Sequence, residues 1–489
     1  MLYKSTRGDE HLKSSSEAII TGLACDRGLF VPLSIPKLPF TIAEGIKMNY
    51  QEVATKIINA FFDDFTETEI EDCVNKAYDE KFDDIRIVPV VKKGKGWFLE
   101  LYHGKTAAFK DMALSILPYL LKASLKKEKV QDRILILTAT SGDTGKAALE
   151  GFSGVSGTEI VVFYPEEGVS LIQKMQMVTQ EGGNTHVFSV KGNFDDAQKG
   201  VKDIFNDEAF KEELKEKNIR LSSANSINIG RLVPQVSYYV YGYLHLVKEG
   251  AVKSGEKVNV VVPTGNFGNI LAAYYASLMG IPVNMFICAS NENKVLTDFL
   301  NTGSYDTRRE FHVTNSPSMD ILVSSNLERL LYLLSNEDGK TIRDLMERLD
   351  SEKHYRVDEK IRANLSKFYG GFCTEEETNK TIREMFLENN YLIDTHTAVA
   401  YKVYLDYLKE TGDETPTLVA STASAYKFAE SVALALGLPK EDDEYLYESA
   451  IFKMTGVKVP QGLKGLRDKK ILHNKTLSIS RMKEEVRRI

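Results

Sequence analysis

The sequence predicts an α/β protein built on open parallel sheets, and two observations carry that prediction. From about residue 90 onward, short β-branched runs alternate with segments of helical length, and the runs are apolar throughout, as strands covered on both faces are. Several runs also end in small or hydroxyl-bearing residues just before the next helix. Open parallel sheets collect their ligands at that step.

The elements follow in chain order. Residues 1–88 read as a mainly helical opening domain. It holds a turn-rich strip with Gly22, Gly28, Pro32, Pro36 and Pro39, then amphipathic segments at about 50–61 and 66–80. Lys4, Ser5, Thr6 and Arg7 near the start either anchor the terminus or reach a ligand, and anchoring is the plainer role. Strands are expected at 133–138, 160–164, 186–190, 258–262, 284–288 and 417–420. The stretch 324–390 is charged and reads as a helical insertion.

Composition excludes several classes. The 489 residues are 43% hydrophobic and 27% charged, an ordinary globular balance. The net charge of −7 is spread out and gives no footprint for nucleic acid. Cys25, Cys73, Cys288 and Cys373 stand far apart with no CxxC pair. That argues against a zinc site or a disulfide framework, so no metal is expected and a reducing cytoplasm is. No run approaches the length of a membrane span.

The chemistry centres on Lys110, in LYHGKTAAFKDMALSILPYL. A lysine between small and aromatic residues at the start of an apolar helix is poorly solvated. Burial and the positive end of the helix both disfavour its charged form. A neutral amine is what covalent chemistry with a carbonyl cofactor needs. The plainer alternative is a lysine snorkelling from a helix start.

Three corners surround that prospect. In GNFGN, Gly265 and Gly268 let the backbone approach a ligand, and the helix N–H groups that follow suit a phosphate; packing at a tight turn is the alternative. GxGxxG spacing and a Walker lysine are both missing, which weakens dinucleotide and nucleoside-triphosphate binding. In TSGDTG, the hydroxyls of Thr140, Ser141 and Thr144 form a nest for a carboxylate. Asp143 within it either faces a donor on a cofactor or caps the next helix. In SANSINIGR, Asn225, Ser226 and Asn228 are neutral hydrogen-bonders beside Arg231, a second anion site or a solvated polar loop. His103 and His396 read as structural.

HGKTAAFKD, SGDTG, NSINIGR, GNFGN and STASAYKF, in this order, resemble the threonine synthase family. YKSTRG, GLACDRGLFVP, SPSMDI, SNLERL and DTHTAVAY are similar to its longer bacterial and fungal class. The resemblance covers nearly the whole chain. It implies pyridoxal 5'-phosphate as cofactor on fold type II, the fold of the tryptophan synthase β chain. It also implies a large cofactor-binding domain from 89–127 and 236–489, and a small α/β domain from 128–235.

Position by position, the resemblance puts the cofactor on Lys110 and its phosphate on Gly265, Asn266, Phe267, Gly268 and Asn269. Thr422 would meet the ring nitrogen and Asp143 the phenolic oxygen. Thr140, Ser141 and Thr144 would take the substrate carboxylate, and Asn225, Ser226 and Arg231 the phosphate of O-phosphohomoserine. The implied reaction gives threonine and phosphate, on a monomer or homodimer with no nucleic-acid or membrane partner. A phosphohomoserine phospho-lyase, or a threonine or serine dehydratase of the same fold, keeps many of the same motifs. A binding protein without catalysis is the reading from another class. Lys105, Arg27 and Ser424-Ala425 depart from the family's usual residues; Lys105 stands where a turn proline is common and brings a charge near the site.

Overall fold

Two parallel sheets organise the chain in the computed structural model, which describes residues 1–140, 142–166 and 169–489. The larger runs Phe368–Phe372, Val283–Ser290, Val258–Pro263, Thr417–Ser421, Gly96–Glu100, Val90–Lys93 from edge to edge. Its neighbours are parallel except for the last pair, a hairpin closed at Gly94 and Lys95. The smaller is parallel throughout and runs Thr476–Leu477, Thr185–Val190, Thr158–Pro165, Arg133–Ala139, Ile219–Ser222.

Burial explains why these runs are strands. Val258, Val260 and Val262 face one core while Val261 faces another, and all four are at most 2% exposed. Ile134 and Ile136 divide from Leu135 and Leu137 in the same way. Each buried branched side chain contributes roughly 1.5–3 kcal/mol. Intrinsic strand propensities span only about 1 kcal/mol, so two-sided burial decides the conformation.

The six expected strands all form, with ends that move by two residues or fewer. Three features differ from expectation. The run after Lys110 is two helices, Asp111–Leu114 and Leu117–Lys127, because Pro118 has no N–H and its ring excludes a continuous helix through Leu114. The stretch 324–390 is not helical throughout: Phe368–Phe372 within it is the edge strand of the larger sheet. Two glycines make that strand weak in sequence, yet Gly370 packs closely on Thr297, whose backbone an added Cβ would meet at 3.1 Å. Finally, residues 476–489 return to the smaller sheet, where Leu477, Met482 and Val486 share its outer core.

The opening domain is held by local capping and by distant charge. Its helices Ser15–Thr21, Ile42–Gly45, Tyr50–Phe61 and Glu67–Ala77 each begin with a reciprocal capping box closed by glutamate. A small antiparallel sheet of Leu2–Ser5, Lys13–Ser14 and Phe30–Pro32 joins them, which periodicity did not announce. Arg7 grips Glu328 through two bonds of 3.0 and 2.8 Å, and Thr6 donates to the same carboxylate. The YKSTRG stretch therefore anchors the terminus. Among the described residues no helix is long and apolar enough to cross a membrane.

Candidate active site

The turn that presents Lys110 is built around Asp111. The backbone N–H and the hydroxyl of Thr106 both donate to its carboxylate, at 2.7 and 2.6 Å. Burial pushes that carboxyl up to about 6, against those hydrogen bonds. Gly104 must be glycine here, since a Cβ would stand 2.5 Å from the Asp111 carboxylate. The turn is then sewn to the end of Thr417–Ser421. Phe109 donates its N–H to the Thr422 carbonyl at 2.7 Å, and Ser424 donates to Ala107 at 3.0 Å.

This leaves the Lys110 amine inside, 12% exposed. It donates to the Ser318 hydroxyl at 3.2 Å, stands 3.6 Å from Asp143, and lies 4.8 Å from the centre of the Phe109 ring. Burial lowers its pKa, the cations Lys427 and Arg231 lower it further, and only Asp143 opposes them. The environment favours a neutral amine.

Asp143 is not the helix cap. Gly142, at φ +151°, holds that place, and Asp143 opens the helix Asp143–Phe152 with its carboxylate turned inward. Lys427 lies 2.8 Å from it, Gln173 donates at 3.0 Å and Ser318 at 3.3 Å. Burial favours the neutral acid, but Lys427 and Lys110 outweigh it and hold the group far below the usual carboxylate range. Thr140 is buried and its hydroxyl oxygen accepts the N–H groups of Gly142 and Gly145, both at 3.0 Å. Thr144 is half-buried on the first turn of that helix, and Ser141 lies outside the described residues.

At the other corner the strained residue is Phe267, at φ +64°, rather than either glycine. Gly265 is fixed by the Ser318 carbonyl, which a Cβ would meet at 2.6 Å, while a Cβ on Gly268 would touch its neighbours at ordinary distance. Gly268 is therefore not demanded by the protein's own packing. Asn326 supports the corner from beneath, donating from its N–H and its amide to the Asn266 carbonyl at 3.0 and 3.1 Å. Asn266 is exposed, whereas Asn269 is buried and its Oδ1 accepts from Tyr238 at 2.7 Å and Tyr239 at 2.5 Å. Its Nδ2 is buried with no partner among the described residues. An orphaned donor on the first turn of a helix, behind a chain bend held under strain, fits a phosphate oxygen.

The segment before the long helix Ile229–Lys248 ends in Asn228, which caps it and also donates to Ile19 at 3.0 Å. Asn225 and Ser226 are half-buried, and the Ser226 carbonyl accepts from Asn326 at 3.2 Å. Arg231, on the first turn, is 4% exposed. One of its Nη groups donates to the Ala224 carbonyl at 2.8 Å, while Nε is buried without a partner among the described residues. Burial alone pushes it to about 10, and among the described residues no carboxylate opposes that push. A guanidinium in this position suits an anion.

Lys110, Asp143 and Arg231 thus come together. Thr422 is 5% exposed behind the lysine turn, with its N–H on Thr397 at 3.3 Å. Sequence reasoning did not single out four contributors: Ser318, Lys427, Gln173 and Asn326. Ser318 and Lys427 stand in SPSMDI and STASAYKF, but nothing local marks them as site residues. His396 braces the site from behind, accepting the Ser318 N–H on Nε2 at 3.1 Å, which puts the ring proton on Nδ1 facing Asp394 at 2.8 Å. His103 pairs with Asp83 and Glu100; burial pushes it down, but the two carboxylates prevail and raise it to about 9. Lys105 is matched by Glu150 at 2.8 Å, so its charge is balanced.

Three family models match the chain in succession: a threonine synthase N terminus over residues 2–78, a pyridoxal-phosphate dependent enzyme over 91–422, and a threonine synthase C-terminal region over 397–471. The chain belongs to the threonine synthase family. Threonine synthase of Schizosaccharomyces pombe is 36% identical, with 89% of each chain covered. A threonine synthase of Brucella melitensis solved with PLP bound superposes at a TM-score of 0.87 with 35% identity, over 100% of this chain and 99% of that one. Threonine synthase-like 1 of Homo sapiens is 42% identical over 88% of this chain, which spans only 59% of that relative. The family's fold type II scaffold and its pyridoxal phosphate cofactor are those of this chain.

Proposed function

We propose that the chain is a threonine synthase that turns O-phospho-L-homoserine and water into L-threonine and phosphate. One observation carries this: among the described residues two buried donors have no partner, Asn269 Nδ2 and Arg231 Nε, and they stand on different helices. A dehydratase of this fold needs a phosphate grip for the cofactor alone. A substrate bearing its own phosphate needs a second.

Pyridoxal phosphate, when bound, supplies the electron sink that makes the substrate's Cα proton removable. Gly265, Asn266, Phe267, Gly268 and Asn269 would hold its phosphate, Thr422 its ring nitrogen and Asp143 its phenolic oxygen. The Lys110 amine, whose charged form burial disfavours, takes the proton at Cα and then one at Cβ. The Thr140 oxygen accepts two N–H groups, which leaves its own O–H proton to donate to the substrate carboxylate beside Ser141 and Thr144. Arg231, with Asn225 and Ser226, offsets the charge that builds as phosphate leaves Cγ.

The cytosol is the compartment we assign, supported by four cysteines that are all free, and the chain would work as a monomer or homodimer. The test supplies O-phosphohomoserine to the purified chain loaded with pyridoxal phosphate. Threonine and phosphate are expected in equal amounts. Phosphate accompanied by 2-oxobutyrate would replace synthase with phospho-lyase.

A further inference from the structure

Lys427 has no place in the roles above, yet it is 0% exposed and sits in the middle of the site. It stands in the short turn Ala425–Phe428, with its amine 2.8 Å from Asp143 Oδ1 and donating to Gln176 Oε1 at 3.0 Å. A buried lysine is tolerated where a carboxylate meets it. Here the carboxylate already has another claimant: Asp143 Oδ2 lies 3.6 Å from Lys110. One acid therefore lies between two buried amines. If Lys110 were its sole cation, the pair would hold Lys110 protonated, since an opposite charge at this range favours the charged form.

We propose that Lys427 is a positioning residue of this site: its charge satisfies Asp143, so that Lys110 can stand beside that carboxylate as a free amine. The pairing also lets an acid sit where the phenolic oxygen of the cofactor is expected, a role that rests on the proposed function. The groups acting on Lys110 are Asp143 from the helix after Gly142, Lys427 from the 425–428 turn, and Arg231 from the long helix. Ser318, Gln173 and Gln176 add neutral hydrogen bonds around them. His396 meets Ser318 only at its backbone N–H.

The test uses the full chain freed of cofactor, so that it stands apart from turnover. Each variant is treated with trinitrobenzenesulfonate from neutral to alkaline pH, and modification of Lys110 is followed by peptide mass mapping. With Lys427→Met, the midpoint of the Lys110 profile is expected to rise by about 1–3 units, slowing modification at neutral pH at least about tenfold. Lys427→Arg, which keeps the charge, is expected to restore the wild-type profile. A Lys427→Met profile that superimposes on wild type overturns the proposal. Should Lys427→Met fail to fold, the double variant Asp143→Asn, Lys427→Met removes the opposed charges together. Its midpoint is expected within about one unit of wild type, and a midpoint lowered well beyond that, as loss of an unmatched Asp143 would give, overturns the proposal too. Cofactor uptake by the unaltered chain is scored separately through its visible absorbance; its failure would strike the proposed function and leave the Lys110 profiles to decide the role of Lys427.

Discussion

The two glycine-bearing corners of this chain look alike in sequence and are built in opposite ways. At Gly265–Asn269 the protein secures the turn from outside, with Asn326 under the Asn266 carbonyl and two tyrosines on Asn269 Oδ1, and among the described residues one buried donor has no partner. At Thr140–Gly145 the turn secures itself, with the Thr140 oxygen accepting two of its own N–H groups, and the carboxylate of Asp143 is matched by lysine. The first corner offers a buried amide donor, which suits a group carrying negative charge. The second balances charge around an amine. A strand-to-helix turn rich in glycine is thus a place for chemistry, and what its neighbours do with the hydrogen bonds decides which chemistry.

Lys110 lies between the two corners, and its removal has the largest effect. Lys110→Ala is expected to lower turnover by about 10³–10⁴-fold or more and to abolish the visible band, while the melting transition stays cooperative. Activity near wild type would mean that neither corner serves this amine. Arg231→Met comes next. It removes charged hydrogen bonds of about 1.5–3 kcal/mol each, so the KM for phosphohomoserine is expected to rise by roughly 10–100-fold. Cofactor affinity should scarcely move, and equal losses in both would merge the two anion sites into one.

Asn269→Asp sharpens the contrast from the other side. It keeps an acceptor for Tyr238 and Tyr239 but puts a carboxylate oxygen where the open donor was. The affinity for pyridoxal phosphate, titrated by absorbance, is expected to fall about tenfold or more. Thr140→Val tests the self-secured corner. It removes the acceptor of two N–H groups at a helix start, a loss of about 1–2 kcal/mol visible as a lower urea midpoint. A higher KM with unchanged stability would instead give Thr140 wholly to the substrate.

The smallest effect belongs to Lys105. Burial alone would raise Glu150, but Lys146 and then Lys105 outweigh it and hold the carboxyl at about 2, below its ordinary 4.5. A depressed acid stabilises the fold above its ordinary pKa, and that contribution is lost as pH falls through about 2. Lys105 is half exposed, so its share is below about 1 kcal/mol. Lys105→Ala is expected to lower stability slightly near neutrality and to flatten its decline from about pH 5 to about pH 3. A steeper decline would mean that Lys105 does not hold Glu150 down.

Much of this was legible along the chain. The branched runs at 133–138 and 258–262 specified strands because two-sided burial leaves a continuous apolar pattern. The apolar spacing at about 50–61 and 66–80 wrote two helices, and the small residues after the strands marked where a ligand could approach. Lys110 stood out because its immediate neighbours cannot solvate it. Such features depend on residues a few positions apart, and their physics is local.

Tertiary structure alone decided which groups share a charge or a hydrogen bond. Nothing near Lys427 in the sequence says that it meets Asp143, and nothing near Ser318 says that it touches Lys110. Arg329, 0% exposed, links Phe30 of the opening domain to Ile227 before the long helix, and no periodicity encodes that junction. Even the strand Phe368–Phe372 exists because a sheet edge accepts it, against the weak propensity of its two glycines. Electrostatic and hydrogen-bond energies fall off over a few ångströms, so partners distant in the chain acquire roles only once the fold has brought them within reach.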